Sequence, residues 1–139
     1  MTESADEAVM RQYLADIAPY PTMTDGDERQ LLRRIARGAA ARDELMGLGP
    51  GTPSSVREYL RAQVAEGEEA QRRLTLSNLR FVVEIAKTYE PTGRSLVGLV
   101  QNGNLGLLRA IESFDWRAES TFRDHIEAAV RNAIAASEP

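Results

Sequence analysis

Between Ser77 and Phe114 the chain reads SNLRFVVEIAKTYEPTGRSLVGLVQNGNLGLLRAIESF, two apolar helical patterns separated by the turn EPTGRS. In the first, Leu74, Leu76, Leu79, Val82, Val83, Ala86 and Tyr89 cover so much of a helix circumference that the helix belongs at the centre of a core. In the second, Leu96, Leu99, Val100, Leu107, Leu108 and Ile111 recur at the spacing of one helix face. Set into that second pattern is a polar insert, Gln101-Asn102-Gly103-Asn104. Asn and Gly are poor helix formers, so something other than helix stability places them there. Amide side chains both donate and accept hydrogen bonds, and Gly98, Gly103 and Gly106 let another helix approach closely. Composition leaves two readings of equal weight: close packing against a neighbouring helix of the same chain, or a surface for a partner.

The flanking sequence adds helices and no strands. Residues 1–7 are polar and read as a frayed end. From Ala8, the residues Met10, Tyr13, Leu14 and Ile17 form one face of a helix that Pro19 and Pro21 end. Thr24 reads as an N-cap, with Asp25, Asp27 and Glu28 in the first turn where the helix dipole favours anions. The helix that follows carries Leu31, Leu32 and Ile35 among arginines that read as a solvated face, is loosened at Gly38, and extends to about Met46. GLGPGTPSS, residues 47–55, is the clearest break. Ser55 and Glu58 have the spacing of a capping box for the next helix, with Gly67 as a break or a dent. Ser95 caps the helix from about Leu96 to Phe114. After the turn FDWRAEST, Thr121 with Asp124 caps a last helix whose apolar stripe is Phe122, Ile126, Ala129, Val130 and Ala133. With no stretch of sustained alternation, the chain is all-α.

The bulk properties exclude several classes of function. The chain has no cysteine, so neither a disulfide framework nor a thiolate metal site is open to it. No apolar run reaches the roughly 18 residues of a membrane span, and the N-terminus lacks a basic-then-apolar signal, which makes the cytoplasm the expected compartment. The net charge of −4 argues against gripping nucleic acid by bulk electrostatics. Residues 1–71 carry 8 basic and 13 acidic side chains and residues 72–139 carry 9 and 8, so the two halves face different surroundings. The single His125 has no nucleophile motif beside it and reads as a surface histidine. Glu84, Glu112 and Asp115 lack the histidine spacing of a di-iron bundle, and NGNLG lacks the strand that a phosphate-binding turn needs. The expectation is a non-enzyme without metal or cofactor.

NLRFVVEIAKTYEPTGRSLVGLVQNGNLGLLRAIESFDWRAESTFRDHIEAAVRNAI resembles region 2 of the bacterial sigma-70 family of transcription initiation factors. The family pattern of NLRLVV-IAK-Y, a short linker, L-D-LIQEGN-GL--A---F and a final helix is followed nearly throughout. MRQYLADIAPYPTMTDGDERQLLRRIARG is similar to the family's region 1.2. The resemblance implies region 1.2-like helices over residues 1–46, a variable spacer over 47–71 and a region 2-like helical core over 72–139, together one compact multi-helix domain. It also implies docking on the clamp helices of the RNA polymerase largest subunit. Carried onto this sequence, the docking residues are Leu99, Val100, Gln101, Asn102, Gly103, Asn104 and Leu108, supported by Asn78 and Arg80. Two departures remove negative charge there: Gly98 stands for the family's acidic residue, and Asn102 for the Glu after the glutamine.

The last helix departs further. The family's Trp-Trp pair, which helps capture a base flipped from the promoter −10 element, corresponds to Ala128 and Ala129. The upstream aromatic positions hold Ser120, Phe122 and His125, and the duplex-reading Gln and Thr become Asn132 and Ala135. Asp124 and Glu127 put negative charge where phosphate would lie. Each lost stacking contact costs about 1–3 kcal/mol. The resemblance therefore implies a sigma-like regulator that docks on polymerase with reduced or absent −10 melting, either competing with a true sigma factor or completed by a second chain. The alternatives are a sigma factor of unusual promoter specificity, with Arg117, Arg123, Arg131 and Asn132 on DNA, and a helical module that binds a protein other than polymerase.

Overall fold

The computed structural model describes residues 2–115, 117 and 121–136. Among the described residues five α-helices follow one another: α1 Ala5–Ile17, α2 Asp25–Met46, α3 Ser54–Lys87, α4 Leu96–Ser113 and α5 Phe122–Ala136. A single 3-10 turn, Glu90–Thr92, separates α3 from α4. Among the described residues there is no strand, as the all-α reading expects.

The caps explain most of the boundaries. Thr24 Oγ1 accepts from the Asp27 amide at 3.1 Å, Ser95 Oγ from Gly98 at 3.4 Å and Thr121 Oγ1 from Asp124 at 3.1 Å. Each satisfies one of the amides that a helix start leaves without an intrahelical partner. Gly93 closes the 3-10 turn at φ 84°, a left-handed conformation that side-chain-bearing residues rarely adopt.

Two expectations about helix starts are corrected. The segment read as frayed holds the first turn of α1, which Ser4 and Glu7 close with a reciprocal capping box. The box expected at Ser55 does not start α3, because Ser54 and Ser55 already lie inside that helix. The Pro53 carbonyl accepts there from Val56 at 3.2 Å and Arg57 at 3.4 Å. A proline suits the position because it has no amide of its own to satisfy.

The chain divides into two compact units, Met23–Leu74 and the combination of Met1–Thr22 with Thr75–Pro139. Within Met23–Leu74, α2 and the first part of α3 bury Leu31, Leu32, Ala41, Leu60, Ala70 and Leu74. Gly38 does not loosen α2, and Gly67 does not break α3. A Cβ on Gly38 would fall 2.9 Å from the Gly67 Cα, and a Cβ on Gly67 3.0 Å from the Gly38 Cα. The paired glycines are where two helix backbones touch.

In the other unit, the second part of α3 supplies Val82, Val83, Ile85 and Ala86 to a core shared with Leu99, Val100, Leu107 and Ile111 of α4 and Ile126, Val130 and Ile134 of α5. α1 adds only Met10 and Ile17 to the buried set. It is also fixed by polar contacts: Ser95 Oγ bonds the Asp6 carboxylate, Asn104 Nδ2 donates to the Tyr13 hydroxyl at 3.2 Å and Arg80 donates to the Ala18 carbonyl at 2.8 Å.

Candidate functional site

α4 has two faces with opposite duties. The inner one is glycine-lined and meets α5. A Cβ on Gly106 would lie 2.7 Å from the Ala133 Cβ, 2.8 Å from the Ala129 carbonyl oxygen and 3.2 Å from the Val130 Cα. A Cβ on Gly103 would lie 2.8 Å from Val82 Cγ1 and 3.3 Å from Val130 Cγ1. These glycines let α4 approach α5 and α3 more closely than any side chain would allow. For Gly103 and Gly106, internal packing is the reading that holds.

The outer face carries Gln101, Leu105 and Leu108, all exposed, with Glu112 one turn beyond. Their spacing of four, three and four residues sets them on one stripe. Leu105 is 51% exposed and Leu108 37%, unusual for leucines on a helix whose other face is fully buried. Asn102 and Asn104 flank the stripe half-buried. Asn104 turns its amide nitrogen to Tyr13, while its Oδ1 is enclosed and accepts no hydrogen bond from the described residues.

The expected docking residues therefore separate. Gln101 and Leu108 lie on the surface, with Asn102 and Asn104 at its edge. Leu99, Val100, Gly103 and Asn78 do not: Leu99 has no exposure, Val100 is buried, and Asn78 lies inside beside Ser77. Leu99, Val100 and Gly103 are buried parts of α4 and Asn78 is a buried polar residue of α3, so any effect on docking runs through the positions of these two helices. Arg80 is exposed, but its guanidinium is spent on the Ala18 carbonyl at the end of α1. Leu105 is the residue that the sequence reading passed over. Its position four residues after Gln101 was the available signal.

The candidate nucleic-acid residues on α5 are mostly committed elsewhere. Phe122 is buried and stacks edge-on against Phe114 with centroids 5.2 Å apart, so its ring faces cannot receive a base in this structure. His125 is half-buried, 5.2 Å from the Phe114 ring, with Nε2 3.4 Å from Ser113 Oγ. It is thus a packed histidine and not a freely exposed one. Arg123 sits 4.6 Å from the Phe81 ring centroid in a cation–π contact. Arg131 pairs with Glu127 at 3.1 Å, and hydrogen bonds to Tyr89 and Glu127 hold its pKa above the usual guanidinium value. Arg117 and Asn132 are exposed; Ser120 lies outside the described residues. The outer face of α5 is left with Asp124, Ala128, Asn132 and Ala135. It has neither an exposed aromatic ring nor an excess of positive charge.

Among the described residues, no group of three His, Asp or Glu side chains is placed to hold a metal ion, and no helix is long and apolar enough to cross a membrane.

Residues 74–136 match the sigma-70 region 2 family model. Over 97% of its length the chain is 37% identical to the RNA polymerase principal sigma factor HrdD of Streptomyces coelicolor, and it spans 41% of that protein. It is 37% identical to HrdC of the same organism over 91% of the chain and 38% of the relative. With HrdD of Streptomyces griseus the identity is 38% over 97% of the chain and 41% of the relative. The chain thus spans about two fifths of the length of the curated relatives it matches.

Proposed function

We propose, on the premise that this chain belongs to the sigma-70 family through the region 2 it carries at residues 74–136, that it is a sigma-like transcription regulator. It docks on core RNA polymerase through the outer face of α4 and contributes little or nothing to melting a promoter −10 element. The observation that carries this reading is the exposed stripe Gln101–Leu105–Leu108. Two leucines held in water by a rigid helix are the kind of surface that a partner helix covers, and a few such anchors supply most of the energy of an interface. The amides of Gln101 and Asn102 add directional hydrogen bonds at the edge. The partner that fits is the helical clamp of the polymerase largest subunit.

The outer face of α5 supports the second half of the proposal. Base capture needs exposed π-faces and cations free to meet phosphate. Here the exposed positions hold Ala128 and Ala135 with Asp124 and Asn132, Phe122 is buried, and Arg123 and Arg131 are engaged within the fold. The chain then either competes with a complete sigma factor for the clamp or works beside a second chain that supplies promoter contacts.

The test is co-purification of the full chain with core RNA polymerase, with Leu108→Glu and Gln101→Ala as paired variants. The wild type is retained, Leu108→Glu is lost, and Gln101→Ala is weakened. A wild-type chain that does not bind core polymerase under any salt condition sinks the docking half. Run-off transcription by core polymerase plus this chain alone, on a promoter library, overturns the second half and makes it a sigma factor of unusual specificity.

A further inference from the structure

A second surface, apart from the α4 stripe, lies between α1 and the junction of the 3-10 turn with α4. It is a groove of about 560 Å³ with an apolar floor of Met10, Leu14 and Leu96. Leu96 stands nine residues before Leu105, about 13.5 Å along α4, so the groove and the polymerase-facing stripe occupy different parts of that helix.

The charges around the floor decide what fits. Five ionisable side chains line it: Asp6, Glu7, Glu90, Arg11 and Arg94. Four are already committed. Asp6 accepts from the Ser95 hydroxyl, and Glu7 accepts from the Ser4 amide at 3.3 Å in the capping box. Arg11 is held by Glu3 through Nε at 3.0 Å and a terminal nitrogen at 3.1 Å. Arg94 donates to the Ile134 carbonyl at 3.1 Å. The Glu90 side chain makes no hydrogen bond or ion pair among the described residues; Asp6, Glu7 and Arg94 bond neutral groups and keep their charges, so with Arg11 paired to Glu3 the lining is net negative and Glu90 is its unpartnered carboxylate.

We infer that this groove is a docking site for a basic amphipathic segment of a partner protein. Apolar side chains of the segment lie on Met10, Leu14 and Leu96, and a lysine or arginine runs its aliphatic stem over that floor to reach Glu90 with its charged end. The inference stands independently of polymerase docking.

The experiment titrates the full ¹⁵N-labelled chain with the peptide acetyl-Leu-Lys-Lys-Leu-amide and with its charge-reversed counterpart, acetyl-Leu-Glu-Glu-Leu-amide. The basic peptide shifts amides within residues 6–14 and 90–96 and leaves 105–108 unmoved, and its binding weakens as salt is raised. The acidic peptide produces no shifts in the groove. Glu90→Lys weakens the basic peptide about tenfold and Glu90→Gln about threefold, while both spectra keep wild-type dispersion. Equal response to the two peptides, shifts centred on the α4 stripe, or undiminished binding by Glu90→Lys with wild-type dispersion would each overturn the proposal.

Discussion

α4 and α5 pack against one another with matched inner faces, yet their outer faces have diverged. Both bury aliphatic side chains in the same core, and the glycines of α4 set the separation between them. Outward, α4 displays two leucines beside Gln101 and Glu112, whereas α5 displays alanines beside Asp124 and Asn132. The inner faces answer to packing, where a single added methyl is felt throughout the core. The outer faces answer only to whatever they touch in function. Two neighbouring helices can therefore share one core while presenting surfaces of different chemistry.

The comparison breaks most severely at the shared inner face. Gly106→Val drives a branched side chain into the Ala133 Cβ and into backbone atoms of Ala129 and Val130, none of which has a flexible end to swing aside. The expected loss is about 3 kcal/mol or more, read as a fall in the urea midpoint and accompanied by loss of polymerase binding. Gly103→Ala is milder, about 1–2 kcal/mol, because its nearest neighbour is a side-chain methyl, Val82 Cγ1, that gives way more easily than backbone. Equal effects at the two positions would mean that α4 and α5 slide freely, and that the glycines do not set their spacing.

The outer face of α4 predicts the opposite pattern. Leu105→Glu with Leu108→Glu removes both apolar anchors and weakens polymerase binding by about 2–3 kcal/mol, roughly 30- to 150-fold. The urea midpoint stays within the scatter of the wild type, since neither leucine belongs to the core. Binding and stability that fall in parallel would show the stripe to be structural.

How much of this was visible beforehand depended on whether the deciding contact was local. Thr24, Ser95 and Thr121 act within one helical turn and could be read directly. Ser4 and Glu7 were equally local. They were missed because the apolar period begins only later in α1, and a polar first turn looks like a disordered end. Ser55 and Glu58 had the right spacing two residues too late, since Pro53 had already closed the helix start. Gly38 and Gly67 stand 29 residues apart, so their mutual contact exists only once α2 and α3 cross. In α4, periodicity alone could have separated Leu105 and Leu108 from Leu99 and Val100. The amide insert drew attention to consecutive residues when the helix presents every third or fourth one. Phe122 was the least legible residue: an aromatic side chain suits burial and base stacking alike, and only its packing on Phe114 decides between them.

The proposal that α5 contributes little to DNA binding can be tested by adding to its outer face what base stacking needs. Ala128 is exposed, so Ala128→Trp adds a ring without displacing core atoms. One stacking contact contributes about 1–3 kcal/mol, so binding of a short single-stranded DNA probe, measured by anisotropy, tightens roughly fivefold or more. No change would show that the electrostatics of this face, and not the missing ring, keep DNA away.

The smallest effect isolates that electrostatic part. Glu127→Gln removes one negative charge from α5 and releases Arg131 from an ion pair whose partners are 42% and 43% exposed. A helix pair four residues apart contributes about 0.3–0.5 kcal/mol when exposed, so the stability cost is at the edge of detection. Arg131 remains charged at every accessible pH, so the substitution changes the net charge of this face and not the state of its cation. Binding of the same DNA probe therefore improves about twofold at low salt and returns to the wild-type value at high salt, where exposed charges are screened. A gain that survives high salt would mean that Glu127 excludes DNA by occupying space. A stability loss above about 1 kcal/mol would mean that the pair holds α5 in place, and that the outer face of this helix carries more of the fold than its exposure suggests.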